Sequence, residues 1–376
     1  MQARFLILFL PACIGACVRD EAPSDTEMVE PASLALSARE SAADVSPTGA
    51  PMPRPYRMRL EAAVSLNASC IACHDEQARE WRGSHHQQSN IHAAYRSAFA
   101  VEPSAFCRGC HAPESDPRVE PPRAVSELGV ACVTCHVTEE GTVLAAASPD
   151  RAALAAPHPV RRSIDFAQAG GCENCHEFRF PGVRGDDDGA FMQTTVREHG
   201  RSKLRGKACA ECHMPLVEGR RSHRFSNVRD PEFLRESLRA RAELTDEQGV
   251  RITLHQPAPG HDFPTGDLFR RIEVGCELKS RDGKVLRREV RYLGRRFEVV
   301  PGEPGRRLTR DHRVGDEPSV VELELLPPPS KPRPTLVSWW VTYQRVATIG
   351  AGTDPAEATV ESEVKLHSGA LPWRSN

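Results

Sequence analysis

Five copies of one five-residue word mark where this chain could do chemistry. Cys70–His74, Cys107–His111, Cys132–His136, Cys172–His176 and Cys209–His213 each read Cys-x-x-Cys-His. Two cysteines three apart sit on one side of a helical turn, so both thiols can reach the two vinyl groups of a single porphyrin. The histidine that follows can present its imidazole to the iron from below. This is the attachment sequence for c-type haem. With 13 cysteines and 15 histidines in 376 residues, chance supplies about 0.02 copies of the word. A zinc tetrahedron or a disulfide framework leaves the histidine of every word unexplained. The expectation is five covalent haems, bound through Cys70, Cys73, Cys107, Cys110, Cys132, Cys135, Cys172, Cys175, Cys209 and Cys212. His74, His111, His136, His176 and His213 are then the proximal ligands.

Ten further histidines lie outside the words. A haem with a second histidine is six-coordinate and suited to outer-sphere electron transfer, whereas one without it keeps a face open to substrate. Ten spare histidines suffice for five second ligands. His86 is favoured in Trp81-Arg-Gly-Ser84-His85-His86, with His85 in reserve and a solvated turn as the plain alternative. His92 shares a helical face with Tyr95 and Phe99 and reads equally as ligand or core-edge residue. His158 stands between Pro157 and Pro159, which stiffen the backbone presenting it. His199 precedes the fifth word by ten residues, and His223 follows its histidine by ten. His261 lies in Gly260-His261-Asp-Phe263-Pro264-Thr265-Gly266.

The elements that must position these groups divide the chain in order. Residues 1–17 read as a signal peptide, with Arg4, the apolar run Phe5–Leu10 and small residues. Ile14-Gly15-Ala16-Cys17 has the form of a lipobox, Leu10-Pro11-Ala12-Cys13 is a weaker second one, and Val18 suits outer-membrane sorting. Residues 18–59 are rich in Ala, Pro, Ser and Glu. Val18 to Ala50 holds seven acids against two bases, a composition for a disordered tether. Residues 60–230 are the haem domain, in short helices joined by Pro- and Gly-containing loops. The short gap between His111 and Cys132 suggests that their haems stack closely. Asp230-Pro231 opens a helix, taken as a linker over 231–245.

From 246 to 376 the apolar period changes to two. Strands are predicted at Val250–Leu254, Ile272–Leu278, Val285–Tyr292, Val320–Leu325, Leu336–Tyr343 and Thr359–Leu366. Asp282-Gly283 reads as a hairpin turn. The predicted fold class is α+β in two domains. A mostly helical and irregular multihaem domain precedes an antiparallel immunoglobulin-like β-sandwich, with Trp339 or Trp340 facing its core and Cys276 a buried thiol. Ten Lys/Arg against four Asp/Glu between Lys284 and Arg313 read as a solvated face, or else as a docking surface for an acidic partner.

Several stretches carry a resemblance. Glu198-His-Gly-Arg-Ser202, then Gly206-Lys-Ala-Cys209-Ala-Glu-Cys212-His213-Met214-Pro215 and His223-Arg-Phe, resemble the multihaem cytochrome c proteins of the cytochrome c-552/c-554 class. So do Trp81–His86, Gly129-Val-Ala-Cys132 and the Gly260–Gly266 segment with Arg270-Arg271. The resemblance implies bis-histidine haems and electron transfer, with His261 reaching across the domain boundary and the two arginines pairing with propionates. It has tryptophan where this chain has His199, so His199 is either structural or a new ligand.

The expected function is electron transfer between periplasmic or cell-surface redox proteins, by an exported chain held to a membrane by a lipid anchor. One alternative is an oxidoreductase for a small inorganic nitrogen or sulfur compound at one five-coordinate haem. Against it, no Cys-x-x-Cys-Lys word is present. Another is a partner-binding module that the haems merely wire. A formal charge of -2 offers nothing for nucleic acid, and no apolar run reaches the roughly 18 residues of a membrane span.

Overall fold

The computed structural model describes residues 58–146, 158–163, 166, 169–226, 230–246, 249–326, 332–347 and 355–373. The signal peptide, Cys13 and Cys17, and all of the tether but its last two residues therefore lie outside the described residues.

The words fold as helix ends or as whole short helices. The first word closes α1 (Glu61–Cys73), with His74 as its C-cap, before α2 (Asp75–Trp81) restarts the chain. Asp75 and Glu76 place negative charge in the first turn of α2, where the helix dipole favours it. α3 (Ala93–Val101) is capped by His92, whose ring accepts from the Ala94 amide. The second word ends α4 (Ala105–His111), and α5 (Arg123–Leu128) leads into the third word, which is the whole of α6 (Cys132–His136).

A parallel pair follows, β1 (Val143–Ala146) with β2 (Val160–Ser163). The fourth word forms α7 (Glu173–His176), continuing into β3 (Glu177–Arg179), which pairs with β4 (Phe191–Thr194). α8 (Thr195–Arg201) precedes the fifth word in α9 (Cys209–His213), and the short pair β5 (Leu216–Val217) and β6 (Arg220–Arg221) follows.

Apolar packing in this half is sparse. Ala63, Trp81, Leu128, Ala131, Val133 and Val137 form its cluster. Gly129 shows how closely the backbone approaches itself there. Its φ is +56°, and a Cβ would sit 2.5 Å from the His86 carbonyl oxygen, so only glycine fits. The adjoining Val130 amide bonds that same oxygen at 2.8 Å, and Trp81 Nε1 donates to the Val130 carbonyl at 2.9 Å.

The helix at Asp230 runs only over α10 (Pro231–Ser237), its cap made by Asp230 Oδ1 to the Glu232 and Phe233 amides. The linker helix expected to 245 is corrected here, because Arg239–Leu244 is the strand β7. The reason is local: Ala240, Ala242 and Leu244 alternate with polar residues and pack on the core, which is the period of a strand.

The remaining strands are β8 (Gly249–His255), β9 (Arg270–Ser280), β10 (Val285–Leu293), β11 (Arg295–Glu298), β12 (Arg307–Asp311), β13 (Ser319–Glu324), β14 (Pro334–Val346) and β15 (Val360–Pro372). Antiparallel sheets β10-β9-β14-β15 and β13-β8-β7 share one core, with β11 and β12 as a separate pair. Val250, Ile252 and Leu254 meet Ile272, Val274, Leu278, Val337 and Val341 in it, all 0% exposed. β9 turns into β10 through Asp282-Gly283, with Val285 opposite Lys279. Cys276 is fully buried in this core, and burial pushes its thiol up to about 12. Trp339 packs on the core, whereas Trp340 lies over Gly275 and bonds Glu273.

A small shared cluster joins the halves: Phe180, Val183 and Met192 from one, Leu268, Phe269, Phe297 and Leu308 from the other. All described residues belong to a single compact unit. The architecture is mixed helix and antiparallel sheet, as an α+β class requires.

Candidate haem sites

Three of the spare histidines face words other than the one nearest them in sequence. His86, just after the first word, faces His176 of the fourth, with ring centres 6.2 Å apart. His158 faces His74 of the first word at 6.4 Å. His223, beyond the fifth word, faces His136 of the third at 6.3 Å. His261, from the strand-rich half, faces His213 of the fifth word at 6.2 Å.

These spacings test whether a haem iron fits. Two imidazoles bound to opposite sides of one metal at about 2 Å place their ring centres about 6 Å apart, given ordinary metal–imidazole bond lengths. All four pairs match that figure. Direct stacking contact would be much closer.

Five of the outer nitrogens face backbone carbonyls, whereas Nδ1 of His176 lies 3.3 Å from Gln193 Nε2. Nδ1 of His136 points at the Leu144 carbonyl at 2.8 Å, Nδ1 of His213 at the Ser226 carbonyl at 2.8 Å and Nδ1 of His111 at the Ser89 carbonyl at 2.7 Å. His223 does the same to Arg221 at 3.0 Å and His261 to Asp262 at 3.2 Å. Since a carbonyl only accepts, the proton sits on Nδ1 and Nε2 keeps its lone pair, the tautomer that binds iron. Burial reinforces this by disfavouring the charged ring. It lowers His86 and His261 to about 4 and His176 to about 3, with His111, His136 and His223 lowered as well. Metal ligation needs that neutral imidazole.

Among the described residues no group of three or more His, Cys, Asp or Glu gathers as it would around a bare metal ion. The ten word cysteines form no disulfides. Paired imidazoles beside pairs of unbridged thiols fit porphyrin and fit a zinc tetrahedron badly.

His111 is different. Its ring stacks on Tyr95 with centres 4.0 Å apart and planes 11° from parallel. The other four word histidines each stand 6.2–6.4 Å from a spare histidine, whereas the ring contact of His111 is with a tyrosine. The Tyr95 hydroxyl is buried without a hydrogen-bond partner, and burial raises its pKa.

Two expected ligands are held differently. His92 caps α3 through Nδ1 and meets His85, seven residues earlier, with ring centres 5.8 Å apart, and it lies near enough to act electrostatically on His111. His199 uses both ring nitrogens on backbone carbonyls, Gly260 at 2.7 Å and Lys207 at 2.8 Å, which leaves neither for iron. Arg271 is engaged within the strand-rich half. It bonds Gln344 and the Pro355 carbonyl and lies over Tyr292, because alternation along β9 sends it to the opposite face from Arg270.

Three supports had no signal in the sequence. Glu80 accepts from the His223 amide at 2.7 Å and from Arg220 at 2.9 Å. Glu114 bonds Thr134 in the third word at 2.8 Å and pairs with Arg59. Glu198 forms a buried pair with Arg313. Each joins residues tens to more than a hundred positions apart, a separation no local pattern encodes.

The words also touch one another. The Cys132 amide donates to Asn67 Oδ1 at 3.0 Å, three residues before Cys70. Cys110 Sγ lies 3.9 Å from the Asn174 carbonyl inside the fourth word. The thiols of Cys172 and Cys209 are within hydrogen-bonding reach. The second word thus meets the fourth and the third meets the first, and Glu114, three residues after the second word, bonds Thr134 of the third.

No protein-family model and no curated protein matches the sequence. In structure the chain is similar to a penta-heme cytochrome c552 from Thermochromatium tepidum. The TM-score is 0.61 at 18% identity, over 85% of this chain and 100% of that one. That likeness shows a multihaem cytochrome c-like fold.

Proposed function

We propose that this chain attaches five c-type haems through its ten word cysteines and relays electrons between exported redox proteins. Bound haem supplies reversible one-electron transfer. His74 with His158, His136 with His223, His176 with His86 and His213 with His261 would hold four of these haems. A rigid imidazole on each side keeps the ligand set unchanged between oxidation states, which lowers the reorganisation that electron transfer must overcome. The observation that carries this reading is the set of four ring pairs at 6.2–6.4 Å. The word contacts support a relay in which the fourth site adjoins the second and the fifth, and the third adjoins the first.

One observation favours a second activity at the same relay. His111 stacks on Tyr95, and a haem held there with the tyrosine in place of a second imidazole would offer an open face to a small inorganic nitrogen or sulfur compound. Under this reading the other four sites feed electrons to or from it.

The strand-rich half is read as an immunoglobulin-like sandwich whose role is to supply His261, with domain boundaries near 230 and 246. A docking role for its basic run finds less support. Arg287, Arg288 and Arg291 bridge to Glu277 and Glu289, Arg307 pairs with Glu298, and Arg313 is buried. The exported, lipid-anchored location rests on the sequence of residues 1–17. No described helix is long and apolar enough to cross a membrane.

Intact mass and pyridine haemochrome of the exported protein should give five haems, and electron paramagnetic resonance four low-spin centres and one high-spin centre. Fewer than five covalent haems ends the reading. A fifth low-spin centre removes the open face, and a high-spin signal unmoved by nitrite or hydroxylamine argues against those substrates.

A further inference from the structure

α8 carries two adjacent residues, Glu198 and His199, that grip opposite ends of the loop presenting His261. His199 Nδ1 lies 2.7 Å from the Gly260 carbonyl, one residue before His261. Its Nε2 lies 2.8 Å from the Lys207 carbonyl, two residues before Cys209. Glu198 accepts from Thr265 Oγ1 at 2.6 Å, four residues after His261, and from Thr194 Oγ1 at 2.5 Å. Its carboxylate also pairs with Arg313, whose Nη2 reaches Asp262 at 3.2 Å. The side chains of Glu198 and Arg313 are 0% and 3% exposed. Thr195 and Thr265 hydroxyls meet at 2.9 Å, and Gln256 donates to the His261 carbonyl at 2.8 Å.

We propose that Glu198 and His199 are positioning residues for the fifth haem: they tie its cysteine word and its distal-histidine loop to one helix, so that both axial imidazoles are set from a single support. The inference rests on reading His213 and His261 as the two ligands of that haem. Its physical basis is the cost of breaking bonds around a fully buried carboxylate. Tilting the His261 loop away from α9 must release a Gly260 or Thr265 contact, and a buried carboxylate deprived of a partner is costly. Ligand-plane angle and iron–nitrogen distance are what such a loop movement would change. Both partners of His199 are carbonyls, which only accept, so a replacement must offer N–H groups to both. Glutamine, with two N–H groups on one nitrogen, is the conservative replacement.

The test uses the full-length, haem-loaded protein and its variants His261→Ala, His199→Ala, His199→Gln and Glu198→Gln. Haem content by intact mass, electron paramagnetic resonance of the oxidised form and a potentiometric titration are recorded for each. His261→Ala should turn one low-spin signal into a high-spin one. His199→Ala should keep the full haem count while shifting that same low-spin signal and raising one midpoint potential, and His199→Gln should bring both back toward wild type. Glu198→Gln should perturb the same signal and no other, and it carries the test if His199→Ala fails to mature. A residue that served folding alone would lower the melting temperature and leave signals and potentials where they were. That outcome, with His261→Ala behaving as stated, overturns the positioning role while the axial assignment stands. If His261→Ala leaves the low-spin count intact, the axial assignment itself is wrong and the proposal falls with it.

Discussion

The haem-bearing half and the strand-rich half reach order by different means. In the first, six buried apolar residues make up the cluster around Trp81 and Val133, while ten word cysteines and four histidine pairs lie around it. In the second, twenty buried residues form one continuous core between two sheets. Burial of a large aliphatic side chain is worth about 1.5–3 kcal/mol, so the sandwich can hold itself together with its own side chains. The word-bearing half has little such surface for its length, and on the reading proposed above porphyrin would fill its interior. What the contrast teaches on that reading is that polypeptide alone encodes one half, and polypeptide plus cofactor the other.

The largest expected effect comes from withholding haem. In full-length chain produced without haem attachment, amide hydrogens of residues 60–226 should exchange at nearly the unfolded rate, while those of β8, β9 and β14 stay protected. Equal protection in both halves would break the comparison. Next is the sandwich core. Leu278→Ala, at a fully buried position, should cost about 2–5 kcal/mol in denaturant unfolding while the haem count stays unchanged. A loss under 1 kcal/mol would mean that this core tolerates collapse.

A smaller effect concerns Asp267. Burial would raise its carboxyl, but Arg270 and then Arg345 outweigh burial and hold it far below the usual carboxylate range. Because the folded pKa is depressed, the stabilisation is fully present above the unfolded value of about 3.9 and is lost as pH falls below it. Asp267→Asn should therefore cost about 2 kcal/mol at pH 7, between exposed and buried ion-pair values. Its stability should converge with wild type in acid, and a difference that grows on acidification has the wrong sign for this account. The smallest effect is at the junction. Asp230→Ala removes the cap of α10 and should lower stability by about 1 kcal/mol, read as a change in denaturant midpoint with spectra unaltered.

Local pattern made much of this legible. The hairpin at Asp282-Gly283, six of the strands, the Asp230 cap and the haem words are all short-range features, and each was readable from neighbouring residues. β7 was missed because the start signal at Asp230 says nothing about where the helix stops. Gly266 is similar: its φ of +106° and an Arg270 side chain 2.7 Å from where a Cβ would stand explain the glycine only once the turn is seen.

The amino-acid order by itself determined the candidate chemistry: five words that could attach porphyrin, a histidine in each that could ligate its iron, and ten spare histidines. It could do so because two thiols and a histidine must share one helical turn to hold a ring. Only the tertiary structure decided the partners. It set His158 across from His74, His86 across from His176, His223 across from His136 and His261 across from His213, and it gave His199 to two carbonyls and His111 to Tyr95. Axial pairing depends on which segments the fold brings to opposite sides of a porphyrin. That is a matter of chain path over dozens of residues, which no spacing within a word can specify.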